Sequence, residues 1–456
     1  MVIISLLSVC VKLIVMKVPR KPPSYPDVLL SIPPDRLTQV FQRAGQPDDS
    51  RYLHWDKLRQ LDPPVDLSHE EWWATLKIGR LQNAHTIEQF HSKDGKPFYY
   101  CLPDRVLEAV HDIDSRARGS VALTEQVTDS EDRNRYVVSS LIEEAITSSQ
   151  LEGAATTRKV AVEMLRSGRR PRDESERMIL NNYTAMQHIL KLDKDHLTPT
   201  IVLRLHRILT EETMKNTDAV GRLQTKDDER IKVYDDRDNT LLHIPPPAEE
   251  LPERLELMCR FASGDIGSKG FLHPVIRAII LHFWLAYDHP FEDGNGRAAR
   301  ALFYWAMLRE GYWLFEYLSI SSLLRKAPAQ YARSYLYTET DGNDLTYFIV
   351  YQLKIIQRAL DALNAYIARK QQEVRDAEEK FREMSWLNHR QRALIAHALR
   401  HPTQEYTIES QRRSHGVAYA TARSDLLRLT DESMLEVKKR GKKAVFKPGP
   451  ALLHNK

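Results

Sequence analysis

Apolar positions recur with a helical period over most of this chain, and the breaks in that period mark its turns and few strands. Amphipathic patterns predict helices over Tyr136–Leu165, Pro171–Leu192, Thr198–Glu212 and Pro252–Phe261. A denser apolar run predicts a buried helix over His273–Tyr287. Asp341–Lys380 reads as one long helix ending in a charge run, a solvated connector. Strand signals are short. Ile87–Phe90 and Pro97–Tyr100 flank Lys93-Asp94-Gly95-Lys96 and predict a hairpin. Ile231–Tyr234 and Leu241–Ile244 predict a second, inside the segment Gly221–Pro247 where the helical period lapses. Trp72-Trp73 reads as the start of an amphipathic helix whose rings bury against the next unit.

Between the buried run and the apolar stretch Ala301–Met307 lies His289-Pro-Phe-Glu-Asp-Gly-Asn-Gly-Arg-Ala-Ala-Arg300, a helix, glycine-rich turn and helix. Pro290 cannot continue the preceding helix. Gly294-Asn295-Gly296 can take positive φ angles that let backbone N–H groups converge, and a helix beginning near Arg297 turns its positive end to the same point. That is a cradle for an anion, phosphate above all. Around it stand an acid-base group, His289, a carboxylate able to hold Mg²⁺ or Mn²⁺, Asp293, and two guanidiniums, Arg297 and Arg300, three apart on one helix face. His206 and His282 have no second ligand at helical spacing and read as core or interhelical residues.

These twelve residues are similar to the signature of Fic-domain proteins, HPFx(D/E)GNGRxxR, with no departure from it. The resemblance implies a mainly α fold: a Fic-type helical core with a β-hairpin flap. It also implies protein adenylyl transfer, in which ATP sits on the turn, His289 takes the proton from a Ser, Thr or Tyr hydroxyl of a target protein, and that oxygen attacks the α-phosphorus. Gly294, Asn295, Gly296, Arg297 and Arg300 would bind the nucleotide and Asp293 the metal, while Phe291 anchors the loop. Glycine at 296, where kinase-like relatives carry lysine, favours the adenylyl group. Removal of AMP by the same site stays open.

Ser148-Ser-Gln-Leu-Glu152-Gly153 resembles the family's inhibitory motif, (S/T)xxxE(G/N), in the position used by members with an N-terminal inhibitory helix, here near 139–153. By that resemblance Glu152 pairs with Arg300 and denies it to the ATP γ-phosphate. The hairpin within 221–247 would be the flap, with Ile231, Lys232, Val233 and Tyr234 holding the target by edge-strand pairing. The target, which could be the chain itself, is not legible, because strand pairing reads backbone; the resemblance also implies a homodimer.

From Ser385 a separate small domain is predicted: helices Asn388–Arg400, Thr407–His415 and Tyr419–Leu429, then a basic hairpin, Leu435–Phe446. Three short helices and a basic wing resemble a winged helix-turn-helix, with Arg423, Lys438, Lys439 and Arg440 as DNA contacts. A protein-interaction or dimerisation module is the competing reading, and a nucleotide-sensing DNA-binding regulator is the competing function for the whole chain. The expected domains are a lead-in over 1–50, an N-terminal extension over 51–135, the catalytic domain over 136–375 and the small domain over 385–450.

Composition adds limits. A net charge of +4 on 28% charged residues imposes no global basic field. Three distant cysteines imply a reducing compartment and no disulfide framework. The apolar stretch Met1–Met16 lacks a basic n-region and is too short for a bilayer, so it reads as a mis-set start rather than an anchor, and a cytoplasmic protein is expected.

Overall fold

The computed structural model describes residues 18–44, 50–118, 130–192, 196–230, 233–234, 241–266, 270–382, 384–401, 404–440 and 443–453. It divides into two units: residues 1–119 with 139–360, and residues 120–138 with 361–456. Both are built mainly of helices.

The centre of the first unit is a pair of consecutive helices, a leading helix Pro274–Asp288 and a motif helix Asn295–Arg309. Pro274 sits at the first helical position, where no N–H is needed, and His273 caps the start by accepting from the Val275 N–H. In the motif helix every residue from Asn295 to Leu308 is buried. Such a helix has no solvent face, so any charge it carries must be paired inside the protein. Helices Glu174–Ile189, Pro199–Thr210 and Leu251–Ser263 pack around this pair, each with an apolar stripe turned inward. A fourth, Ser130–Leu151, covering the segment the sequence resemblance implies as a regulatory helix, enters this unit at Ser139, and a cleft helix, Pro328–Thr340, lies beside the motif.

The expected N-terminal extension is not a separate body. Its hairpin, β1 (His85–His91) with β2 (Pro97–Tyr100), lays Phe90 between Phe98 and Trp284 of the leading helix, with ring centroids 4.0 and 4.2 Å apart. Helix His69–Gln82 starts on a capping box, Ser68 and Glu71, and carries Trp73 into the core. The same helix sends Lys77 to Asp341, at 2.6 Å, and Arg80 to the Tyr347 hydroxyl, at 2.6 Å, both in the interior. Tyr347 also donates to Asp341 at 2.7 Å, and Tyr52 to Asp344 at 2.8 Å. This buried network joins the extension to the end of the cleft helix, so residues 51–118 share one core with the rest.

The second hairpin is β3 (Val233–Tyr234) against β4 (Leu241–His243), shorter than its sequence signal. Ile231 and Lys232 lie outside the described residues, and Val233 and Tyr234 are described by backbone alone.

In the second unit, helices His389–Arg400, Ile408–His415 and Tyr419–Asp431 surround Leu394, Ile395, Leu426, Leu429 and Phe446. Asp425, buried, ties the first of these helices to the third by accepting from Arg390 Nε at 2.6 Å and Asn388 Nδ2 at 2.7 Å. Strands β6 (Leu435–Arg440) and β7 (Lys443–Pro448) pair in register, and β5 (Tyr406–Thr407) adds to the free edge of β7. Two residues give no alternation to detect, which hid β5 from the sequence.

Lys77→Ala would leave the Asp341 carboxylate buried without its cation. It should cost about 3–5 kcal/mol of unfolding free energy, the usual loss when one partner of a buried pair is removed, measured by urea denaturation. A loss below about 1 kcal/mol, the value of an exposed pair, would show that the network does not bind the extension to the core.

Candidate functional site

The turn joining the two central helices is held from all sides. His289 ends the leading helix in the left-handed region, φ 46°, and Gly294 begins the motif helix at φ 80°. Asn295 and Gly296 are already helical, so the helix starts two residues earlier than the sequence suggests and only Gly294 needs a positive φ. The reason is Asn295. Its side chain accepts from the Phe291 N–H at 2.9 Å and donates to the Phe291 carbonyl at 2.8 Å, closing the loop on itself. Both polar atoms of that side chain are thereby engaged by the Phe291 backbone. Phe291, wholly buried, stacks on His206 at 3.8 Å. His206 accepts from the Gly221 N–H through Nδ1 and therefore donates through Nε2 to the Asp293 carbonyl at 2.9 Å. Burial pushes the His206 pKa down to about 4, which keeps that neutral tautomer.

Below the turn, Asp288 takes both Nε and Nη2 of Arg254 on one oxygen, at 2.9 and 2.7 Å, and the Trp284 indole on the other, at 2.9 Å. Arg230 donates to the carbonyls of Asp288, His289 and Pro246, at 2.8, 3.0 and 3.0 Å. His289 is thus fixed by its backbone, and its ring is 5% exposed. Nδ1 lies 3.4 Å from the Ala286 carbonyl, an acceptor, so Nδ1 carries the proton and the Nε2 lone pair is free. Burial, then the charge of His243, pushes the His289 pKa down to about 3. The ring is therefore a neutral base throughout the physiological range.

The two guanidiniums of the motif part company. Arg297, fully buried, donates to the Leu209 carbonyl at 2.9 Å and to Asp293 Oδ2 at 2.8 Å. It braces Asp293, whose side chain is 32% exposed. Arg300 points the other way. Its Nε donates to Ser148 Oγ at 2.8 Å, and Nη2 to the Ser148 carbonyl at 3.0 Å and to Glu152 Oε1 at 2.8 Å. Burial is the largest influence and opposes the Arg300 charge, but Glu152 together with Tyr331 and Glu144 outweighs it and raises the pKa. Gly296 is helical and has no positive φ; what its lack of a side chain leaves is room for Glu152. A methyl group at 296 would collide with Glu152 Oε1 and stand 2.9 Å from its Cδ. The anion seat at the start of the motif helix is thus filled by a carboxylate of the chain itself.

Glu152 is brought there by the regulatory helix, anchored through a residue that sequence reasoning passed over. Glu144, 1% exposed, accepts from the Tyr304 hydroxyl at 2.9 Å, Ser319 Oγ at 2.9 Å, the Ser321 N–H at 3.1 Å and the Ser321 hydroxyl. Burial raises its pKa despite these donors. Its partners lie up to 177 residues away, so no local signal marked it.

Glu152, His289, Asn295, Gly296 and Arg300 line one cleft, together with apolar residues Leu242, Ala286, Pro328, Ala332 and Leu336 and with Tyr331 and Tyr335. Asp293 and Arg297 stand behind the turn and do not line it. Arg423 and Lys438 belong to the second unit, where both are exposed, and the side chains of Lys439 and Arg440 lie outside the described residues. Among the described residues, no helix is long and apolar enough to cross a membrane.

Comparison with known proteins agrees with this geometry. Residues 196–307 match the model of the Fic/DOC family. Seventy residues are 39% identical to a protein adenylyltransferase Fic of Drosophila sechellia, covering 15% of this chain and 14% of that protein. Seventy-one are 42% identical to the Culex quinquefasciatus protein of the same name, with the same coverage of each. The likeness to these curated relatives therefore spans about a seventh of their length. A Fic family protein from Desulfovibrio desulfuricans shares the fold at a TM-score of 0.50 and 19% identity, over 76% of this chain and 97% of that one.

Glu152→Gly would leave Arg300 buried without the carboxylate it donates to. It should lower unfolding stability by about 3 kcal/mol. Thermal melting with and without Mg-ATP checks this: the variant should melt lower than wild type alone and gain more from nucleotide, since bound anion replaces the lost carboxylate.

Proposed function

We propose that this chain, whose residues 196–307 match the Fic/DOC family, transfers AMP from ATP to a hydroxyl of a target protein, with Glu152 restraining the reaction. The observation that carries this reading is a neutral His289 beside a helix start whose anion seat is filled by Glu152. In the proposed cycle Glu152 withdraws and the triphosphate takes the seat, its charge met by helix-start amides and by Arg300. The nucleoside lies against Tyr331, Tyr335 and Leu336. His289 Nε2 accepts the proton of the incoming Ser, Thr or Tyr hydroxyl, whose oxygen forms a bond to the α-phosphorus as the bond to pyrophosphate breaks. Strands β3 and β4 would hold the target segment by backbone pairing.

Asp293 fits a role as Mg²⁺ or Mn²⁺ ligand: a single braced, partly exposed carboxylate is the usual protein share of a metal held mainly by phosphates and water. When bound, the ion would offset charge on the phosphate oxygens. Arg297 would then orient Asp293 rather than touch nucleotide. Removal of AMP would use the same groups for hydrolysis: Glu152 places a water that bonds to the α-phosphorus as the bond to the target oxygen breaks, with His289 the group placed to protonate that oxygen.

Incubation of the chain and a lysate with ATP labelled at the α-phosphate should leave label on protein, and ATP labelled at the γ-phosphate should leave none. Glu152→Gly should raise labelling at least about tenfold, equivalent to about 1.4 kcal/mol of released restraint, and His289→Ala should abolish it. Equal labelling by wild type and Glu152→Gly would remove the restraint, and labelling by His289→Ala would remove the base.

One surface favours a second activity. On helix Tyr419–Asp431, Tyr419, Arg423 and Ser424 are exposed together, and Lys438 is exposed on β6. Read as a winged helix-turn-helix, this unit would bind duplex DNA through that face. Replacing Lys438, Lys439 and Arg440 with alanine should weaken DNA binding in a gel-shift assay and flatten its salt dependence, leaving protein labelling unchanged. An unaltered shift would discard the contact.

A further inference from the structure

Strand β4 ends on a histidine to which the transfer reading gives no task. His243 is 8% exposed and makes two polar contacts. Its Nε2 lies 2.7 Å from the Tyr287 carbonyl and its Nδ1 2.8 Å from Glu339 Oε2. A carbonyl and a carboxylate both accept, so both ring nitrogens donate and the ring is an imidazolium. The place suits a cation. Tyr287 lies in the last turn of the leading helix, where carbonyls lack intrahelical partners and the dipole is negative. Burial opposes the charge, but Glu339, with the Tyr287 carbonyl and Asp288, outweighs it and raises the His243 pKa. Three elements meet at this ring: β4, the leading helix and the cleft helix. The ring and Glu339 line the same cleft as His289, Glu152 and Arg300.

We propose that His243, held between Glu339 and the Tyr287 carbonyl, is a positioning residue of the site, fastening β4 beside the cleft and presenting a fixed positive charge to His289. This rests on the reading of His289 as the base. The fixed charge is one reason the base stays free. Of the charged groups that act on His289, His243 and Arg230 oppose its protonation and Asp293 favours it, while the Ala286 carbonyl favours it from the leading helix. After burial, His243 is the largest of these influences. A charge so close to a base lifts no proton itself; it makes the imidazolium at 289 costly until a hydroxyl and a triphosphate, which bring negative charge, enter the cleft.

Histidine-selective NMR of the full chain tests this without requiring transfer. The His289 ring signal, identified by its absence in His289→Ala, is followed from pH 8 down to pH 4 in wild type, His243→Gln, Glu339→Gln and His243→Lys. Glutamine at 243 can still donate to the Tyr287 carbonyl but carries no charge. Glu339→Gln leaves the ring in place and removes the carboxylate that holds it charged, so it serves equally if the first variant does not fold. In both, the His289 midpoint should rise by about one pH unit or more, bringing its titration into view at the acid end, whereas the signal should stay still in wild type. His243→Lys, which restores the charge, should return the wild-type behaviour. A His289 signal that stays still in both neutral variants overturns the proposal, because a merely structural histidine would move stability and not this titration. Absence of protein labelling by the Glu152→Gly chain would overturn the transfer reading instead, and the titration would still decide the charge relation.

Discussion

A guanidinium with almost no access to water cannot stand alone. Arg300 is carried on a helix that is buried along nearly its whole length, and the alternatives open to it are a carboxylate of the chain or an anion from outside. Glu152 is the first, and the space it takes is the space above Gly296, where a helix start would otherwise receive phosphate. In the proposed cycle, binding and restraint compete for this one cation. The proposed regulation needs no distant signal: whatever loosens the end of the regulatory helix frees the seat.

That competition makes the anchoring of the regulatory helix as consequential as the carboxylate at its end. Glu144 holds the helix by four donors gathered from Tyr304, Ser319 and Ser321. A carboxylate this deeply buried is tolerable only while fully satisfied, so the helix is held at Glu144 and released, if at all, beyond it. The contacts made by Ser148 and Glu152 lie one and two turns further on, at the end free to fray.

The other side of the site shows a division of labour among side chains that look equivalent on paper. Arg297 and Arg300 share a helix and a spacing, yet one braces Asp293 from behind while the other faces the cleft. Asn295 holds the backbone of Phe291 through both its amide oxygen and its nitrogen, and His206 spends both ring nitrogens on the loops either side of it. The turn is rigid because its polar groups are consumed in holding it, which leaves His289 Nε2 among the few that face the cleft uncommitted.

The helical core, both hairpins and the twelve-residue motif were legible from the chain alone, because period, turn residues and motif spacing are local properties. So was the pairing expected of Glu152 with Arg300, by resemblance. What the chain could not say was how its buried charges are shared out. Whether Arg297 reaches nucleotide or Asp293, whether Gly296 is needed for its φ or for the room beside it, and that Glu144, Arg230 and His243 belong to the site at all, follow from partners tens to hundreds of residues distant. The extension over residues 51–118 likewise joined the core through Lys77, Arg80 and Phe90, whose partners lie far along the chain. Local chemistry set which groups are present; burial, which exists only once the chain is folded, decided which of them must pair and which one is left free to act.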